Sequence, residues 1–83
     1  MSFEFAYRYR QDAPASGLRE LDRVALTAIV TSDDGCELPP GSEGTILGIY
    51  NHGEAYVVEF AAPVGALANV EARHLRLLER ASL

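Results

Sequence analysis

The sequence predicts an all-β domain: a small, strongly curved barrel of about five short strands with an N-terminal aromatic strand extension. Three observations carry this expectation. Leu38-Pro39-Pro40-Gly41-Ser42-Glu43-Gly44-Thr45-Ile46-Leu47-Gly48-Ile49-Tyr50 places a proline–glycine turn directly before an apolar, β-branched run. Ala55 to Phe60 follows as a return strand, with Tyr56, Val58 and Phe60 on one face. Phe3 to Arg10 alternates with a period of two, which is the signature of a strand with two unlike faces.

At the N-terminus, Phe3, Phe5, Tyr7 and Tyr9 share one face, and Glu4, Ala6, Arg8 and Arg10 share the other. Four of the seven aromatic residues fall in this stretch, too dense a stripe to stay solvated. It either completes the domain's own sheet or docks on another chain. Residues 11–20 form a connector broken by Pro14 and by Ser16-Gly17. Residues 1–20 are therefore expected to be an N-terminal strand and linker, and residues 21–83 the barrel domain.

Leu21 to Val30 also matches helical spacing at Leu21, Val24 and Ala25. Its β-branched end, Thr27, Ile29, Val30 and Thr31, favours a strand. Val24, Leu26 and Leu21 are its core candidates. Thr31 to Cys36 reads as a polar loop with a turn at Asp34-Gly35. Pro40 and Gly41 set the next turn, proline fixing φ and glycine allowing positive φ. Gly48 interrupts the strand Thr45–Tyr50, as a bulge or sharp bend would require. Asn51 to Glu54 is a hairpin turn and Ala61 to Gly65 a second turn. Ala66 to Val70 is a short strand, Glu71 to His74 one helical or 3-10 turn, and Leu75 to Leu78 a closing strand. Glu79 to Leu83 is expected to fray.

The chain has 83 residues, enough for one small domain. A domain of this size buries only about 60% of the surface its unfolded chain exposes, so it needs good packing, a staple or a partner. Cys36 is the sole cysteine, so no intrachain disulfide is available. Its apolar runs are too short to span a membrane, and Met1-Ser2-Phe3-Glu4 does not begin as a signal peptide. A cytoplasmic location is the resulting expectation.

Net charge is -5, and it is unevenly placed. Residues 1–20 balance three carboxylates against three arginines, whereas residues 21–83 hold nine against four. Such a body repels a phosphate backbone, which argues against nucleic acid as a partner. All seven basic residues are arginine, which suits bidentate and stacked contacts at protein interfaces.

No residue set suggests catalysis, a cofactor or a metal. Cys36 sits beside Asp33, Asp34 and Glu37, and carboxylates oppose the thiolate that a nucleophile needs. His52 and His74 with one cysteine fall short of a structural zinc set. Gly41-x-x-Gly44 lacks the following lysine and leads into a strand, so it is no phosphate cradle. Asp33, Asp34, Glu37 and Glu43 gather around one loop without the spacing of a calcium site. The candidate interaction residues are Phe3, Phe5, Tyr7, Tyr9, Asp33, Asp34 and Glu37. Pro40, Gly41, Gly44 and Gly48 are assigned to turn and bend geometry.

Leu21-Asp22-x-Val24-Ala25-Leu26, Gly41-x-x-Gly44-Thr45-Ile46 with Tyr50, Tyr56-x-Val58-Glu59-Phe60 and Leu75-Arg76 together resemble a bacterial family of small SH3-like proteins, classed only as a domain of unknown function (family 4926). The resemblance spans roughly residues 20–78. It departs at Ser42, where an acidic residue is common, and the aromatic strand lies outside the shared core. It implies an SH3-like barrel biased toward protein contacts, with no catalytic residue to carry over. The glycine turn is also similar to that of KOW-type ribosomal and elongation-factor modules, and of SH3-like subunits of larger enzyme complexes. The expected function is thus a non-catalytic protein–protein interaction or accessory module, binding another chain or a second copy of itself. An RNA- or ribosome-associated module and a noncatalytic enzyme subunit are the alternatives.

Overall fold

In the computed structural model, residues 17–81 are described. The aromatic stretch Phe3, Phe5, Tyr7 and Tyr9 lies outside them. The described chain is all-β and antiparallel, with a 3-10 turn at Ala72–His74 and no α-helix. Its strands are β1 (Arg23–Leu26), β2 (Val30–Thr31), β3 (Glu37–Leu38), β4 (Glu43–Tyr50), β5 (Ala55–Phe60), β6 (Ala66–Glu71) and β7 (Leu75–Glu79). Five of them form a sheet in the order β6-β5-β4-β1-β7, and β2 and β3 form a separate hairpin. The outer strands β6 and β7 do not pair with each other, so the described sheet does not close on itself.

Alternation builds the core. The inward residues are Val24 and Leu26 of β1, Ile46 of β4, Tyr56, Val58 and Phe60 of β5, and Ala66, Ala68 and Val70 of β6. Leu18, Leu38 and Leu75 complete it. Tyr56, opposite Ile49 of β4 and Val70 of β6, is fully buried. Leu67, the largest side chain of β6, points the other way and is partly exposed.

Several expected boundaries shift for local reasons. The single strand expected over 21–30 is two strands. The Thr27 N–H donates to the His74 carbonyl at 2.8 Å as the last bond of the β1–β7 ladder, the chain bends at residues 27–28, and Val30 pairs with Leu38 in the separate β2–β3 hairpin. Leu21 is half exposed rather than core, because its φ of 71° takes it off the strand path. Of the tail expected to fray over Glu79–Leu83, residues 79–81 are held: Glu79 belongs to β7, and Arg80 and Ala81 bond to Asp22; residues 82–83 lie outside the described residues.

The Pro39–Ser42 turn is closed by the Ser42 N–H and hydroxyl, both donating to the Pro39 carbonyl, and Gly41 carries a φ of 90°. Gly41 then donates to the Leu26 carbonyl and locks the turn onto β1. The β4–β5 ladder slips between Ile46 and Gly48, where Leu47 is the extra residue of a bulge.

The two glycines of β4 differ in what surrounds them. A Cβ on Gly44 would lie 2.7 Å from the Glu59 carbonyl oxygen and 2.7 Å from a Val58 methyl. On Gly48 it would meet the Val57 side chain at 3.5 Å, an ordinary contact. Gly44→Val should therefore lower stability by about 2 kcal/mol or more, and Gly48→Ala by less than about 1 kcal/mol. Thermal melts of the two variants check this; equal losses would show that the approach of β5 to Gly44 is not limiting.

Candidate functional site

The register places opposite ends of the sheet. At one end, Tyr50 pairs with Ala55 and Ala55 with Glu71, the Leu21 N–H donates to the Ile46 carbonyl, and Arg23 pairs with Glu79. The described chain enters here, and here β7 finishes. At the other end, Leu26 pairs with Leu75 and Phe60 with Ala66. The β2–β3 hairpin packs over that second end, burying Leu38 and lodging Val30 and Cys36 against the core. Asp33 fastens it to β6 through its N–H to the Leu67 carbonyl at 2.8 Å.

The acidic residues singled out from the sequence lie on this hairpin. Asp33 and Asp34 are exposed in its turn, and Glu37 is exposed on β3. Asp34 accepts a hydrogen bond from the buried Ser32 hydroxyl at 2.7 Å, and Ser32 Oγ accepts the Cys36 N–H at 3.0 Å. Asp34 thus helps to shape the turn. Glu43, grouped with these residues in the sequence, sits on β4 and pairs with Arg23 at 2.7 Å. Arg23 also reaches Glu79 at 3.3 Å, giving an exposed three-residue network across β4, β1 and β7. Cys36 is half-buried, with its Sγ against the Glu37 carbonyl. His52 is exposed in the β4–β5 turn and His74 closes the 3-10 turn. Among the described residues, no three His, Cys, Asp or Glu side chains are placed to share a metal ion.

A shallow cavity of about 420 Å³ lies at the entry end, lined by Asn51, Glu54, Ala55, Glu71, Ala72 and Arg73. Arg73 is already engaged by Glu71 at 2.7 Å, both side chains being largely exposed. A second groove of about 150 Å³, along Arg23, Glu43, Thr45 and Glu59, is too small for most organic ligands.

Among the described residues, the one fully buried charge was not singled out from the sequence. Asp22 has no exposed surface. Its Oδ2 accepts the Arg19 N–H at 2.8 Å and the Arg80 guanidinium at 2.9 Å, and its Oδ1 accepts the Ala81 N–H at 2.8 Å. Arg80 also donates to the Gly17 carbonyl. Burial alone would raise the Asp22 carboxyl. The backbone donors of Ala81 and Arg19, with Arg80, outweigh burial and hold it below the ordinary aspartate range. Tyr56 is pushed above the ordinary tyrosine range, first by burial and then by the Asp22 charge. Asp22 therefore stays ionised and Tyr56 neutral through the physiological range. A carboxylate so fully engaged joins chain ends rather than moving protons. The available signal was an aspartate at the mouth of an apolar run, with an arginine in the supposed tail.

Asp22 gives the fold a defined acid sensitivity. Its folded pKa lies below its unfolded value, so its stabilisation is full above the ordinary aspartate pKa and is lost as pH falls through the depressed one. Asp22→Asn should cost about 2–3 kcal/mol at neutral pH, allowing for the half-exposed Arg80. It should also flatten the loss of stability on acidification. Denaturant titrations of both proteins from neutral to acid pH check this; parallel pH profiles would contradict it.

No family model matches the chain, and no curated protein or solved structure matches it either.

Proposed function

We propose that the protein is a non-catalytic, SH3-like interaction or accessory module that binds another protein chain by pairing at a sheet edge or through its N-terminal strand. The observation that carries this reading is the outer edge of β7. Among the described residues β7 pairs only with β1, and no strand lies along its other side. An edge of this kind presents unpaired backbone donors and acceptors to an incoming strand. Arg76 and Leu77 lie on β7, and both are exposed. The β6 edge is less open, since Asp33 bonds to the Leu67 carbonyl there.

Chemistry points the same way. The two described cavities are shallow or small, and the buried carboxylate is consumed in structure. The net charge of -5 disfavours a KOW-like contact with RNA. A noncatalytic place in a larger complex is one form of the same reading, because the edge is the contact in either case. The resemblance to the bacterial SH3-like family agrees with this reading. No helix among the described residues is long and apolar enough to cross a membrane.

The test is co-purification of the full-length protein from its native host, with the mass of the eluted species measured. A stoichiometric second chain, a different protein or a second copy, is expected. Leu77→Lys, which places a charge on the edge strand opposite Val24, should weaken its retention tenfold or more at a temperature where its melt shows the variant still folded. A protein that elutes alone and stays monomeric at every concentration would overturn the reading. Salt-dependent binding to a panel of labelled RNAs would replace it with the nucleic-acid alternative.

A further inference from the structure

The register of β7 fixes which of its backbone groups meet β1 and which meet the open edge. The Thr27 N–H donates to the His74 carbonyl, and Arg76 lies opposite Ala25. Successive residues of a strand direct their backbone groups to opposite sides. His74 and Arg76 therefore face β1, and Leu75 and Leu77 face away from it. The Leu75 N–H is used within the 3-10 turn, where it donates to the Ala72 carbonyl. Among the described residues, this leaves the Leu75 carbonyl and both the N–H and the carbonyl of Leu77 for an incoming strand.

The side chains add a second condition. Leu75 lies opposite Leu26 and Leu77 opposite Val24, so both belong to the core face. Leu75 is 8% exposed and Leu77 39%, and no described strand lies beyond them. Arg76 is on the other face and is exposed. Arg23, Arg73 and Arg80 each hold a carboxylate. Arg76 makes no ion pair among the described residues.

A second copy of this chain meets these conditions badly. In a two-fold pair, the register that sets Leu75 opposite Leu77 also sets Arg76 directly against Arg76. Setting Leu77 opposite Leu77 avoids that clash, but the free groups then form only the two bonds between the Leu77 residues. An unrelated strand, with its own donors intact, can engage all three free groups.

We propose that β7 accepts, antiparallel, an extended segment of a different protein that reads apolar–acidic–apolar. Its carboxylate lies opposite Arg76, and its two apolar side chains lie beside Leu77 and Leu75 on the core face. A single acidic residue meets the requirement and a run does not, because residues 21–83 carry the entire net charge of -5 and repel an acidic tract. This partner rests on the edge-binding reading and narrows it to one chemistry.

The experiment uses the full-length protein and two fluorescent peptides that differ only at the centre. One carries valine–glutamate–valine between threonines, the other valine–arginine–valine. Anisotropy titrations should show the glutamate peptide binding about fivefold or more tightly. Arg76→Glu, confirmed as folded by its melt, should reverse the preference. Hydrogen exchange at the Leu77 amide should slow when the glutamate peptide is present. Equal affinity for the two peptides, with the Leu77 amide protected by both, would overturn the acidic partner and leave the edge reading standing. Binding that leaves the Leu77 amide unprotected would place the contact elsewhere and sink both. Failure of both peptides to bind at millimolar concentration would also overturn the proposal. Protection of that amide by raising the protein concentration alone would replace the proposed partner with a second copy. Retention of a native partner by wild type and Leu77→Lys reads the edge separately, so the partner chemistry can fail without it.

Discussion

The buried carboxylate of Asp22 joins parts of the chain that are distant in sequence. Its two oxygens collect the backbone at Arg19, the guanidinium of Arg80 and the backbone at Ala81. Asp22 also donates its own N–H to the Arg19 carbonyl and accepts the Ile46 N–H on its carbonyl. Entry strand, central strand and closing strand are thus fixed relative to one another at one point. A small sheet with no disulfide gains by tying its ends, because fraying of β7 would expose Leu75 and with it the core. Taking a carboxylate out of water is costly, and here three hydrogen-bond donors offset that cost.

The knot also organises the neighbouring chemistry. Its charge helps to keep Tyr56 neutral, and the Tyr56 ring is the largest fully buried side chain of the core. It places Gly17, and therefore the start of the preceding chain, beside the end of β7. The entry end carries the exposed apolar rim of β4, and the other end is covered by the β2–β3 hairpin. The asymmetry between the ends follows from where the chain is pinned and from which end the hairpin covers.

Much of the fold was legible from local pattern. Tyr56, Val58 and Phe60 alternate and lie on the core face. Gly41 takes the positive φ that the Pro39–Ser42 turn requires, and Gly48 marks the ladder slip. Other features were not legible, for a common reason. Leu21 and Leu26 look equivalent as apolar residues, yet a left-handed φ at Leu21 turns it to solvent. Thr27 to Ile29 look like strand residues, yet the β1–β7 ladder ends with the Thr27 bond to His74, 47 positions on, and the chain bends there. Glu43 reads as part of an acidic loop, but its partner is Arg23 on the neighbouring strand.

By itself the sequence determined the all-β class, the order of the main strands, the turns and the acidic balance, because these follow from alternation, turn chemistry and charge count. Only the tertiary structure decided which polar groups are buried and which edges stay open. Asp22 and Asp33 are both aspartates beside apolar runs. One is sealed among three donors and the other stands in solvent at a hairpin turn. That difference arises from contacts nearly 60 positions apart, and no local pattern encodes a contact at that separation. The same holds for the outer edge of β7, whose openness depends on which strands find one another once the chain has folded.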